Sequence, residues 1–123
     1  MKVVYIAGPY SAPTIIQALE NIRRGRRMAT KLIMNNIAPI CPWLDSELFL
    51  QLREGEAISL ETIQEVSMSY LRKADAVMVL KGHETSKGTM AELKEAYALD
   101  IPVFFGYFEL CAWNRLETEK GPA

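Results

Sequence analysis

The sequence predicts an α/β fold: a small doubly wound, Rossmann-like parallel sheet of four to five strands flanked by helices. Three observations predict it. Short apolar runs at 2–7, 37–41 and 76–80 read as buried strands. Longer stretches with helical periodicity separate them. Gly8-Pro9 and Pro42 close the first two runs as turn signals. Buried strands alternating with helices pair in parallel, with helices on both faces. A chain of 123 residues fits a single domain, 1–123.

Each element follows in order. Lys2 to Ala7 is the first strand. Ser11 to Thr14 caps a helix, with Pro13 tolerated in its first turn, and the helix runs to about Asn36. Its apolar stripe is Leu19, Ile22, Ala29, Leu32 and Ile33, with Gly25 at a close contact. Arg23, Arg24, Arg27 and Lys31 occupy the polar face, which reads as solvated rather than as an anion site. Ile37 to Cys41 is the second strand, and Asp45 to Leu52 a short helix. Ser59 caps the next helix, to about Lys73, with Glu61 favourable in its first turn. Its stripe, Leu60, Ile63, Ser67, Tyr70, Leu71 and Ala74, puts Ser67 on the inward side. Ala76 to Leu80 is the third strand, Thr89 to Leu99 a helix, Pro102 to Phe105 the fourth strand and Phe108 to Leu116 a last helix. The tail from Glu117 is expected to be mobile.

Composition excludes several classes. Apolar residues make up 50% and charged residues 24%, as in a globular domain. A net charge of −1 disfavours nucleic acid as partner. No apolar run reaches the roughly 18 residues of a membrane helix. The start, Met1-Lys2-Val3-Val4-Tyr5, lacks a signal-peptide cleavage pattern, so the expected location is cytoplasmic. Cys41, Cys111 and His83 provide too few ligands for a structural zinc site, and neither a metal nor an organic cofactor is implied. His83 reads as a solvated loop residue.

In such a fold ligands bind beyond the carboxyl ends of the strands, near the switch point. The loops there are 8–14, 42–45 and 81–88. Ser86-Lys87-Gly88-Thr89-Met90-Ala91-Glu92 opens a helix, where backbone amides attract anions. Its plain reading is a capping box, Thr89 with Glu92. It is not a P-loop, because Lys precedes Gly. Gly8-Pro9-Tyr10 is a tight turn that brings backbone and a ring to a ligand, or an ordinary turn. Ser67 either bonds back to a helix carbonyl or faces a site.

YIAGPYS after the first strand, Ala74-Asp75-Ala76-Val77, the Ser86-x-Gly88-x-x-x-Glu92 element, Ala96 and Ile101-Pro102-Val103 together resemble the nucleoside 2-deoxyribosyltransferase superfamily. That group includes the 2′-deoxynucleoside 5′-monophosphate N-glycosidases. The resemblance spans residues 2 to about 105. It implies that Glu92 is the nucleophile, attacking C1′ of the sugar while the base leaves, and that Tyr5 orients it. It implies that Gly8, Pro9 and Tyr10 line the nucleoside, and that Ser86 and Gly88 hold a 5′-phosphate. The transferases carry an acidic residue where Ser86 stands, so serine favours a nucleotide over a nucleoside.

Many members carry an aspartate, which helps protonate the leaving base, at the position of Ser67. Its replacement keeps open a non-catalytic nucleotide-binding module as the alternative to an N-glycosidase or N-glycosyl transferase. A third reading is a structural oligomer with no ligand. Asp75 reads as structural. The resemblance further implies a homo-oligomer in which a neighbouring C-terminal segment completes the pocket, with Trp113 and Asn114 as candidates.

Overall fold

The computed structural model describes residues 1–42 and 46–120. Its elements are β1 (Val3–Ala7), α1 (Ile15–Met34), β2 (Ala38–Ile40), α2 (Leu60–Leu71), β3 (Ala76–Val79), α3 (Lys87–Ala98), β4 (Val103–Phe104) and α4 (Tyr107–Glu119). Short 3-10 helices occupy Ser46–Gln51 and His83–Thr85. The four strands form one parallel sheet in the order β2-β1-β3-β4. The chain steps outward from β1 to β2, returns across the sheet, and steps outward again from β3 to β4. The switch point therefore lies between the carboxyl ends of β1 and β3.

Register assigns the faces. Tyr5 pairs with Ile40 on one side and Val77 on the other, and Val77 pairs with Val103. These residues pack with Leu71 of α2 and with Leu93 and Ala96 of α3. The alternate positions, Ile6, Met78 and Phe104, pack with Leu32 of α1 and Leu110 of α4. Alternation along the strands thus builds two cores with different helices over each. Pro39 is tolerated because β2 is an edge strand.

Local chemistry sets the boundaries. Thr14 caps α1 by accepting from the Gln17 amide, so Pro13 lies before the helix rather than in its first turn. Ser59 caps α2 as expected, accepting from Thr62 N at 3.1 Å. Asp75 is structural: its Oδ2 accepts from Val3 N at 2.7 Å, tying the start of β3 to β1. Arg72 at the end of α2 reaches Glu65 at 2.7 Å and Glu95 of α3 at 3.4 Å, joining the helices over one face.

Other expectations are corrected. Leu19 and Ile33 of α1, and Leu60 and Tyr70 of α2, are exposed in the single chain. The helix sides that cover the sheet are narrower than the apolar stripes. The last helix continues through Glu119, because its residues keep bonding after the expected stop: Thr118 Oγ1 donates to the Asn114 carbonyl and Lys120 N to Leu116. Residues 43–45, including the expected helix start at Asp45, and 121–123 lie outside the described residues.

Candidate active site

The helix α3 begins two residues earlier than the sequence reading placed it. Ser86, not Thr89, is its N-cap: Ser86 Oγ accepts from Thr89 N at 3.2 Å and from Thr89 Oγ1 at 2.9 Å. The expected Thr89–Glu92 capping box is therefore absent, because Thr89 already lies in the first turn and is buried. This frees Glu92 from a capping role. It also leaves Ser86 with its own hydroxyl proton to donate, since both acceptances use oxygen lone pairs.

Gly88 falls in the exposed first turn of α3. Among the described residues beyond its own helical turn, a Cβ built there meets nothing within 4 Å. The fold itself does not demand a glycine at that position, which is an unfavourable residue for a helix. Gly88 and Glu92 are four residues apart and so share one side of the helix.

Tyr5, Ser67 and Glu92 come together on the α2/α3 face of the sheet. Tyr5 is fully buried, while Ser67 and Glu92 are half-buried. The Tyr5 hydroxyl interacts electrostatically with both Glu92 and Ser67. Yet no hydrogen bond of good geometry closes: the Tyr5 hydroxyl and Glu92 Oε2 are buried without a partner. Each such atom is unfavourable by about 1–3 kcal/mol, so the arrangement is maintained against stability.

Burial pushes the Glu92 carboxyl up to about 7, and the Tyr5 hydroxyl partly offsets this by favouring the carboxylate. Tyr5 is itself driven far above the usual tyrosine range, first by burial and then by the Glu92 charge. It therefore stays a proton-bearing donor. Ser67 pulls in the opposite direction, favouring the ionised hydroxyl.

The turn after β1 fits tightly against β3. A Cβ on Gly8 would stand 2.9 Å from Leu80 Cβ, so only glycine passes there. Pro9 is buried and lies against Gly82, which has the left-handed φ of +88° that favours glycine. Tyr10 is 41% exposed, and its carbonyl accepts from Asn21 Nδ2 of α1 at 3.3 Å. The turn is thus seated at the switch point with the Tyr10 side chain turned outward.

The remaining expectations divide. His83 is not a solvated loop residue. Its ring packs on Phe105 with centroids 5.2 Å apart, and its Nδ1 is buried without a partner. Trp113 packs against Phe104 at 5.5 Å and Asn114 is buried, so both are engaged within their own chain, on the face away from Glu92. Cys41 and Cys111 form no disulfide with each other. Among the described residues no group of three or more His, Cys, Asp or Glu is placed to hold a metal ion. No helix among them is long and apolar enough to cross a membrane.

Sequence reading missed one feature. Arg23, Arg24, Arg27 and Lys31, with Lys81 from the loop after β3, line a cleft on the α1/α4 face. The signal was their three- and four-residue spacing, which stacks them along one side of the helix.

With this geometry in view, the chain belongs to the family described as "Domain of unknown function (DUF7768)", whose model matches residues 2–106. No curated protein matches it. It is similar to a solved 2-deoxyribosyltransferase from Bacillus psychrosaccharolyticus, with 19% identity, a TM-score of 0.59, and 82% of this chain and 69% of that one covered. It is similar to a 2-desoxiribosyltransferase from Leishmania mexicana, with 19% identity, a TM-score of 0.59, and coverage of 85% and 63%. A conserved protein from Enterococcus faecalis V583 matches with 20% identity, a TM-score of 0.65, and coverage of 84% and 61%. The chain thus spans between 61% and 69% of the length of these structures. At these identities the likeness establishes the fold: this is the doubly wound α/β architecture of the 2-deoxyribosyltransferases.

Proposed function

We propose that the chain is an N-glycosidase, or N-glycosyl transferase, acting on a (deoxy)nucleoside 5′-monophosphate with Glu92 as nucleophile. The fold neighbours support glycosyl transfer on nucleosides as the broad class. The observation that carries the finer reading is the buried, unpartnered Glu92 Oε2 beside the Tyr5 hydroxyl.

A Glu92 oxygen attacks C1′, and the C1′–N bond breaks with its electrons going to the base. The oxocarbenium-like transition state carries positive charge, which an adjacent carboxylate stabilises before bonding to it. Water, or a second base, then attacks C1′ of the glycosyl ester and restores the carboxylate. With water, the proton it gives up balances the one the departing base takes up, so none is released overall. Tyr5 donates toward the carboxylate and fixes its orientation. The Ser86 hydroxyl and the amides near Gly88 receive the 5′-phosphate at the start of α3. Assembly of two or more copies remains part of this reading, as does a small nucleotide or nucleoside as partner.

The test is incubation with each common nucleoside monophosphate, with free base read by chromatography and a glycosyl adduct on Glu92 sought by mass spectrometry. Base release with an adduct supports the enzyme. Ser67 favours the second reading, a nucleotide-binding module, because serine is a poor general acid. That module gives no base from any monophosphate, while the ligand still raises the melting temperature. Ser67→Asp separates them further: a carboxyl near Glu92 has a raised pKa and donates to the base, a step typically contributing about 10²–10⁴-fold. A faster variant supports a slow enzyme lacking its acid. A variant that is merely less stable, with catalysis unchanged, removes Ser67 from the site.

A further inference from the structure

On the sheet face away from Glu92, a cleft of about 450 Å³ opens between α1 and α4 at the end of β3. Its floor is apolar, from Met28, Met78 and Leu80. Its rim holds Arg23, Arg24, Arg27, Lys31 and Lys81, against Glu20 as the one carboxylate among the described lining residues. Glu20 is occupied by Arg23 at 3.2 Å. Arg24 donates to the Lys81 carbonyl, which fixes its guanidinium at the cleft. The Lys31 ammonium sits 4.0 Å over the Tyr107 ring. Phe105 stands at the wall, 54% exposed although it is a large apolar ring.

Five cations around one concavity repel one another, and a chain of net charge −1 does not need them there for solubility. The combination of a cationic rim, an apolar floor and an exposed ring suits a ligand with several negative charges and a flat aromatic part. The volume falls in the range of small-molecule sites, about 300–1,000 Å³. A nucleic-acid surface would spread its cations along an open stripe instead.

We propose that the α1/α4 cleft is a second ligand site that takes a nucleoside polyphosphate, its phosphates on Arg24, Arg27 and Lys81 and its base against Phe105. This site is independent of the Glu92 chemistry. It lies on the opposite layer of helices, although Lys81 begins the loop that ends at Ser86.

Calorimetry on the full chain tests it, using ATP, inorganic triphosphate and adenosine. ATP binds at one site, inorganic triphosphate more weakly, and adenosine weakest of all. Affinity falls as salt is raised, because Arg23, Arg27 and Lys81 of the rim are exposed. Arg27→Ala and Lys81→Ala each weaken ATP by about tenfold, as charge-assisted bonds require. These two side chains leave the Arg24 bond to the Lys81 carbonyl in place. Phe105→Ala brings ATP down to the level of inorganic triphosphate. Ser86→Asp, which keeps a helix cap but sets a carboxylate at the start of α3, leaves ATP binding unchanged. The proposal is overturned if ATP does not bind, if neither cation variant weakens it, or if Ser86→Asp abolishes it, which would move the phosphates to the α3 site. Tighter binding of duplex DNA than of ATP at equal salt also overturns it, in favour of a macromolecular surface.

Discussion

On the α2/α3 face, one carboxylate is buried among few polar partners and holds its proton to about pH 7. On the α1/α4 face, five basic side chains stand around an open cleft, three of them exposed. The same sheet separates them, and the same strands contribute alternate residues to each side. Burial is what differs. A buried charge is destabilised, so its protonation and reactivity become sensitive to its surroundings. Exposed charges stay fixed and serve attraction instead. The first face suits chemistry and the second suits binding.

The largest expected effect comes from breaking the buried side. Glu92→Gln should reduce base release by several orders of magnitude, since the amide cannot form the glycosyl ester. It should also stabilise the fold at alkaline pH. The Glu92 proton is held more tightly in the folded chain, with a value near 7, than at the ordinary 4.5. Between those values the unfolded carboxyl is ionised while the folded one is not, so wild-type stability declines as pH rises through that window. The decline amounts to about 3 kcal/mol. Glutamine removes it. Melting curves should show the variant well above wild type at pH 8 and level with it at pH 4. An equal offset at both values would mean that Glu92 is not held in the way described.

Tyr5→Phe sharpens the same point with a smaller effect. Its hydroxyl is what offsets the burial of Glu92, so removing it should drive the carboxyl further above 7. A nucleophile must be ionised, and the acid limb of the rate profile should move to higher pH while turnover on the plateau falls modestly. Fold stability should rise rather than fall, by about 1 kcal/mol, because the hydroxyl that is lost is buried without a hydrogen-bond partner. A profile that keeps its midpoint would detach Tyr5 from Glu92.

How much of this was legible in the sequence depends on the kind of information each feature uses. The strands and the sheet class were readable because apolar runs and turn residues are local signals. Asp75 as a structural residue was readable from its place before a strand. The exact start of α3 was not, since Ser86 and Thr89 are both good caps, and packing of Thr89 into the interior decides between them. His83 looked like a loop residue because its partner, Phe105, lies over twenty positions away in the chain. The basic cleft was read as a solvated helix face because Lys81, Phe105 and Tyr107 reach it from other elements. The pairing of Tyr5 with Glu92 came from family resemblance alone, and spacing carries no trace of it.

The smallest expected effect concerns Gly88, where the fold and the ligand make opposite demands. Among the described residues beyond its own helical turn, nothing lies within 4 Å of a Cβ there. Alanine should therefore stabilise the free protein by about 0.5–1 kcal/mol, through better helix propensity and a less flexible unfolded chain. If the amides at the start of α3 cradle a phosphate, the same methyl group stands where that phosphate approaches. Gly88→Ala should then melt a few degrees higher and bind nucleoside monophosphates about tenfold more weakly, with nucleosides less affected. The gap between the two ligand types measures the phosphate contact, independently of catalysis. A variant that gains stability and keeps its full preference for monophosphates would show that the phosphate sits elsewhere. The α1/α4 cleft, already rich in cations, would be the next place to look for it.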